Sequence, residues 1–261
     1  MRTTDMADEL FSGAAQPLPA GVRLATARHG GVTVTRVEIA REGLSRPRGR
    51  YVTLEMPSVS VLDERDAAVI ETCAAELRAL LPPEGPVLVL GIGNRRVTAD
   101  ALGPRTAQKI LVTMGPQHTL PVRGIRQVAA LAPGVSGDTG LTLRQLAAAM
   151  VDAVRPAALI CVDSLCSAEA ARLGRTIQFS DTGLHPADAR HARHLDAAAL
   201  GVPVIAAGIP TLMDADEGAD LVLTPRALDS VIAHGSALLA GILNRALQPR
   251  LSVAQLCWLT G

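Results

Sequence analysis

Two hydrophobic rhythms divide the chain. From residue 86 onward, short unbroken apolar runs alternate with segments of helical period. The runs PVLVLG (86–91), AALICVDS (157–164) and VPVIAAGIP (202–210) have the length and continuity of strands buried on both faces. RQVAALAPG (126–134) contains a further strand, and RTIQFSD (175–181) reads as a less apolar strand at an edge. Between them, ALGPRTAQKILVTM (101–114), LTLRQLAAAMVDAV (141–154) and TPRALDSVIAHGSALLAGILNRAL (224–247) have helical patterning. Thr224 is the expected N-cap of the last, with Pro225 in its first turn. Upstream, ERDAAVIETCAAELRALL (64–81) places Ile70, Cys73, Leu77, Leu80 and Leu81 on one helical face, and Pro82-Pro83 stops it.

Before residue 60 the period changes to two. VTVTRVEI (32–39) and GRYVTLEMP (49–57) alternate, which predicts a hairpin with a long connection. Residues 1–30 show weak periodicity and read as an N-terminal arm. The fold class that follows is α/β: a three-layer structure with a mostly parallel twisted sheet flanked by helices. Residues 31–261 are expected to form a single domain, with 31–60 as a strand-rich extension.

Composition narrows the functional classes. Hydrophobic residues make up 48% of the 261 positions, enough for a sizeable core, but aromatic residues only 2%. Phe11, Tyr51, Phe179 and Trp258 are the whole aromatic set, which argues against a base-stacking platform for single-stranded nucleic acid. Lys+Arg and Asp+Glu are 25 each, so nothing points to a polyanion. The four cysteines form no C-x-x-C pair, and Cys161 reads as a core residue. No stretch reaches the roughly 18 apolar residues that span a membrane. The opening MRTTDMADELFSGAAQP carries acids and no long apolar run, unlike a secretory signal. A cytoplasmic location is the expectation.

In open α/β sheets, ligands bind beyond the carboxyl ends of the strands. Three carboxylates follow predicted strands: Asp100 after Gly91-Ile92-Gly93-Asn94, Asp163 at the end of 157–162, and Asp181 in Asp-Thr-Gly-Leu-His-Pro. Each has a bland alternative. Asp100 suits the first turn of a helix, although Pro104 lacks the N–H that would bond its carbonyl in a regular helix. Asp163 suits a helix cap, and Asp181 an ordinary turn. GIGN begins like a dinucleotide fingerprint, but position 96 is Arg where a third glycine belongs. Its glycines suit a tight turn whose N–H groups, around Gly93 and Asn94, could hold an oxyanion. His185, His191 and His194 lie close together in sequence, either as a solvated loop or as metal ligands, at a spacing that matches no zinc pattern. There is no G-x-S-x-G nucleophile elbow.

Taken in order, VLVLGIGNRRVTADALGPRT, LAPGVSGDTG, LICVDSL, IQFSDTGLHP and GVPVIAAGIPTLMDA resemble the central blocks of the germination protease family, over about residues 35–247. The resemblance implies an atypical aspartic-type endopeptidase with no cofactor and no required metal. It implies a fold similar to hydrogenase maturation endopeptidases and a homotetramer in the spore core. Its expected substrates are small acid-soluble spore proteins, with neither nucleic acid nor membrane as partner. It matches Asp100 and Asp181 to the catalytic acids, with Asp163, Gly93, Asn94 and His185 in support. Arg2-Thr3-Thr4-Asp5-Met6-Ala7-Asp8-Glu9 resembles the region where family precursors remove a short pro-segment, with Asp5 and Met6 at the expected cut. Two other readings compete: a metal-dependent maturation endopeptidase on the same fold, and a non-enzymatic nucleotide-binding module.

Overall fold

The computed structural model describes residues 4–12, 17–115, 123–185, 194–215 and 221–260. In chain order the elements are α1 (Glu9–Ser12), β1 (Val22–His29), β2 (Val32–Ile39), β3 (Gly49–Glu55), α2 (Ala67–Arg78), β4 (Val87–Gly91), α3 (Leu102–Ala107), β5 (Val128–Leu131), α4 (Ser136–Thr139), α5 (Leu143–Val154), β6 (Ala158–Cys166), β7 (Thr176–Ser180), α6 (Ala197–Leu200), β8 (Val204–Asp214), β9 (Val222–Leu223), α7 (Leu228–Leu247) and α8 (Val253–Thr260).

One mixed sheet runs through the molecule in the order β1-β2-β3-β7-β8-β6-β4-β5, with β9 added to β8. β5, β4, β6 and β8 are parallel, as the alternation of buried runs and helices predicts. β8 then pairs antiparallel with β7, and β7, β3, β2 and β1 continue antiparallel. The parallel order thus holds for the central strands, and the hairpin β2–β3 extends the same sheet rather than standing as a lobe.

Burial explains the layers. β6 sends Ile160 and Val162 to one face and Leu159 and Cys161 to the other, so both faces are covered. On the first face α2 and α7 pack Ile70, Leu77, Leu238 and Leu239 over Val89, Ile177, Phe179 and Ile205. On the second, Leu143 and Ala147 of α5 cover Leu88 and Leu90. α5 is well specified locally: Thr142 and Gln145 form a reciprocal capping box.

Several sequence expectations need correction. Val22–His29, read as part of the arm, is edge strand β1, paired along its length with β2. Five of its eight positions are solvent-exposed, so burial left no alternation to read. β7 is not an edge strand but lies between β3 and β8. α3 stops at Ala107, well short of residue 114. α7 begins at Leu228 with Ala227 at its N-cap, so neither Thr224 nor Pro225 starts it.

Residues 5–11 of the arm also lie against the sheet. Ala7 N donates to Gln178 Oε1 at 2.8 Å, and Gln178 Nε2 donates to the Asp5 carbonyl at 2.9 Å. Asp8, 1% exposed, accepts from Thr53 and pairs with Arg172 at 2.6 Å. Ala7 and Phe11 close a small core with Val37, Ile39 and Tyr51.

Candidate active site

The turn after β4 depends on glycine at three points. A Cβ on Gly91 would overlap the Gly103 carbonyl, and one on Gly103 would overlap the carbonyls of Ile92 and Val162. Gly93 has φ +121°, and a Cβ there would overlap the Asp100 carbonyl. Only glycine combines that backbone angle with so close an approach. The tight turn folds back on itself, so that Asn94 N donates to Asp100 Oδ2 at 2.7 Å. Thr98–Asp100 form a 3₁₀ turn, and the first α-type bond of α3 runs from Arg105 N to the Ala101 carbonyl. The irregular first turn expected from Pro104 is therefore where Asp100 sits.

Asp163 lies inside β6, not at its end, so it caps no helix. It is 5% exposed and shares a face with Cys161 by strand alternation. Ser164 N donates to its Oδ1 at 2.8 Å. The preceding residue anchors the glycine turn: Ile92 N donates to the Val162 carbonyl at 2.8 Å. Thr211 of β8 donates to the Ala99 carbonyl at 3.1 Å. The turn carrying Asp100 is thus bonded to β6 at Val162, the residue before Asp163, and to β8 at Thr211.

Asp181 is elsewhere. β7 runs antiparallel, with Gln178 opposite Gly208 and Ser180 opposite Ala206. Continuing that register sets Asp181 level with Ile205, and hence with Ile160 and Val89 in mid-sheet. Asp163 is level with Gly208, three rows higher and two strands across. Standard strand dimensions separate their Cα atoms by about 14 Å. Asp181 is instead clamped by Arg50, whose N donates to Oδ1 and Nε to Oδ2, both at 2.7 Å. The expected pairing of Asp100 with Asp181 is not formed, because strand direction carries the end of β7 away from the ends of β4 and β6.

The remaining predicted residues divide similarly. The Asn94 N–H is committed to Asp100, so it orients that carboxylate instead of waiting for an oxyanion. Its side-chain Oδ1 accepts from Arg96 N at 2.9 Å. His185 is half-buried beyond Asp181; burial pushes its imidazole below the ordinary pKa, while the Thr182 carbonyl pulls the other way. His191 lies outside the described residues. Met6 is fully buried and Asp5 is bonded to Cys166, with Asp5 N donating to the Cys166 carbonyl and Cys166 N to Asp5 Oδ2. Cys166 ends β6. Cys161 is fully buried, and burial pushes its thiol up. Among the described residues no group of three or more His, Cys, Asp or Glu could hold a metal ion.

Arg50, Arg46, Arg172 and Gln178 escaped the sequence reading. Each acts through partners more than forty positions away or through the arm, and no local pattern marks such residues.

The model of the family described as Peptidase_A25, germination protease, matches residues 8–217. The chain belongs to the germination protease family. The germination protease of Clostridium perfringens (strain SM101 / Type A) is 32% identical over 84% of this chain and 86% of its own length. Those of Caldanaerobacter subterraneus subsp. tengcongensis and Priestia megaterium are 39% and 35% identical, over 75% and 78% of this chain and 64% and 58% of theirs. Among solved structures, the NiFe hydrogenase maturation protease HycI from Thermococcus kodakarensis covers 66% of this chain and 98% of its own, at TM-score 0.44 and 16% identity. Membership makes this germination protease an endopeptidase. The matched region includes the Asp100 turn, Asp163 and the clamp at Asp181.

Proposed function

We propose that this germination protease begins the degradation of small acid-soluble spore proteins during germination, using Asp100 and Asp163 as its carboxylate pair. One observation carries the assignment: the Asp100 turn is hydrogen-bonded to β6 at Val162, the residue before Asp163. Charging two neighbouring carboxyls is unfavourable, so the pair holds one proton between them. The ionised member takes a proton from the attacking water, and the protonated member donates to the carbonyl oxygen or the leaving amine. Asn94 N–H fixes one oxygen of Asp100 for that exchange.

The proposal extends to a homotetramer in the cytoplasm of the spore core and to a precursor that trims its own N-terminus between Asp5 and Met6. Placement of the arm supports self-processing. Asp5 and Ala7 are held by Gln178, which is level with Gly208 and so with Asp163. Met6 is sealed in that position, so cleavage there requires the arm to lift first.

The test is cleavage of a purified acid-soluble spore protein by Asp100→Asn and Asp163→Asn variants. Each is expected to lose at least about a hundredfold in kcat/KM, the lower end for removal of a general acid or base. Near-normal cleavage by either would overturn the assignment. N-terminal sequencing after incubation checks self-processing: a new terminus at Met6 is expected in the parent protein and not in Asp100→Asn.

A further inference from the structure

The histidine cluster is not absorbed by the proteolytic reading, and its geometry is specific. Leu184 and Leu195 form an isolated antiparallel bridge, exchanging N–H···O bonds of 2.8 and 3.1 Å. The next pair inward is His185 and His194. In an antiparallel ladder the pair beside a hydrogen-bonded one is non-hydrogen-bonded, with its side chains brought closest together. The two imidazoles meet there, Nδ1 to Nδ1, at 3.2 Å, with ring centroids 5.3 Å apart.

The tautomer of His185 follows from its other nitrogen. Nε2 lies 2.9 Å from the Thr182 carbonyl. A carbonyl only accepts, so Nε2 carries the hydrogen and Nδ1 presents its lone pair toward His194. An imidazole that donates one N–H to a backbone carbonyl while aiming the other nitrogen inward has the arrangement of a metal-binding histidine with its outer-shell partner in place. His194 Nδ1–H then donates to His185 Nδ1 across the 3.2 Å gap. With that hydrogen on His194 Nε2 instead, two lone pairs converge on one point.

We propose that His185 and His194 form a two-histidine chelate for a late first-row divalent cation, of which Zn²⁺ is the test case. Metal–nitrogen bonds of about 2.0–2.1 Å across the observed 3.2 Å gap give a nitrogen–metal–nitrogen angle of roughly 100°, close to tetrahedral. Imidazole donors suit zinc, nickel and copper over magnesium or calcium. Water completes the coordination. Asp196, whose Oδ2 is 3.9 Å from His185 Nε2, adds a negative charge behind the first ligand. The chelate would staple the base of the segment between the two histidines. That base is already tied inward, since Arg46 Nη1 donates to the His185 carbonyl at 2.7 Å and Arg46 Nη2 donates to the Thr4 carbonyl. The proposal is independent of the catalytic assignment.

Calorimetric titration of the full chain with Zn²⁺, with thermal unfolding in parallel, tests the idea. One equivalent is expected to bind and to raise Tm. His185→Ala and His194→Ala should each weaken that binding by at least about tenfold, the lower end of what even outer-shell changes cost. His194→Asn keeps a polar donor toward His185, so it tests metal loss without loss of the loop contact, and it too should bind at least tenfold more weakly. His29→Ala and His234→Ala should bind as the parent does. Absence of binding to the parent, or parent-like binding by His194→Asn or by the double alanine variant, would overturn the proposal.

Discussion

The two halves of the sheet treat their aspartates differently. In the parallel half, β4 and β6 point the same way, and the glycine turn that leads to Asp100 is bonded to β6 at Val162, the residue before Asp163. In the antiparallel half, β7 runs the other way, and Asp181 is closed off by two hydrogen bonds from Arg50. In the one-dimensional pattern all three are an acid after an apolar run. The rule that chemistry gathers at carboxyl ends of strands joins only residues on strands of common direction. Strand direction, which no residue states locally, separates Asp181 from the acids that follow β4 and lie on β6.

Substitutions can break this contrast at graded cost. The largest effect is expected at the pair itself, where Asp100→Asn and Asp163→Asn should each lower kcat/KM about 10²–10⁴-fold with little change in Tm. Next is the arm anchor. Arg172 is 12% exposed in its side chain and meets Asp8, which is 1% exposed. Arg172→Ala leaves that buried carboxylate short of its cation and should destabilise by about 3 kcal/mol, read by urea unfolding. Gly93→Ala sets a Cβ into the Asp100 carbonyl at a φ of +121°. It should cost about 1–3 kcal/mol and lower activity with it, because the strained turn is the one that holds Asp100. The smallest effect is expected at the clamp. Arg50 is half exposed in its side chain, so Asp181→Asn should cost about 1 kcal/mol or less in stability and leave kcat/KM nearly unchanged.

Much of the parallel half was legible because burial on both faces writes itself as continuous apolar runs. β4, β6 and β8 and the helices α2, α5 and α7 all fall where period and composition put them. The edge strand β1 was not legible, since most of its positions face solvent and its alternation is lost. Asp100 and Asp163 could be named as candidates from strand ends, and Gly91 and Gly93 suited a tight turn. The pairing proposed for them could not, because it depends on strand order β8-β6-β4, a non-local property. The same limit applies to Asp181: its Asp-Thr-Gly context is identical whether β7 runs up or down. Arg50 holds it from a strand 131 positions earlier, a separation no motif encodes.

The most direct measurement is a double-mutant cycle on cleavage of an acid-soluble spore protein, built from Asp100→Asn, Asp163→Asn and Asp181→Asn. Groups that share one proton act as a unit, so their losses do not multiply. Asp100→Asn/Asp163→Asn should be scarcely slower than the slower single variant, while Asp181→Asn should add only its own small factor to either. An Asp181→Asn variant as inactive as Asp100→Asn, beside an Asp163→Asn variant that cleaves normally, would contradict the pairing.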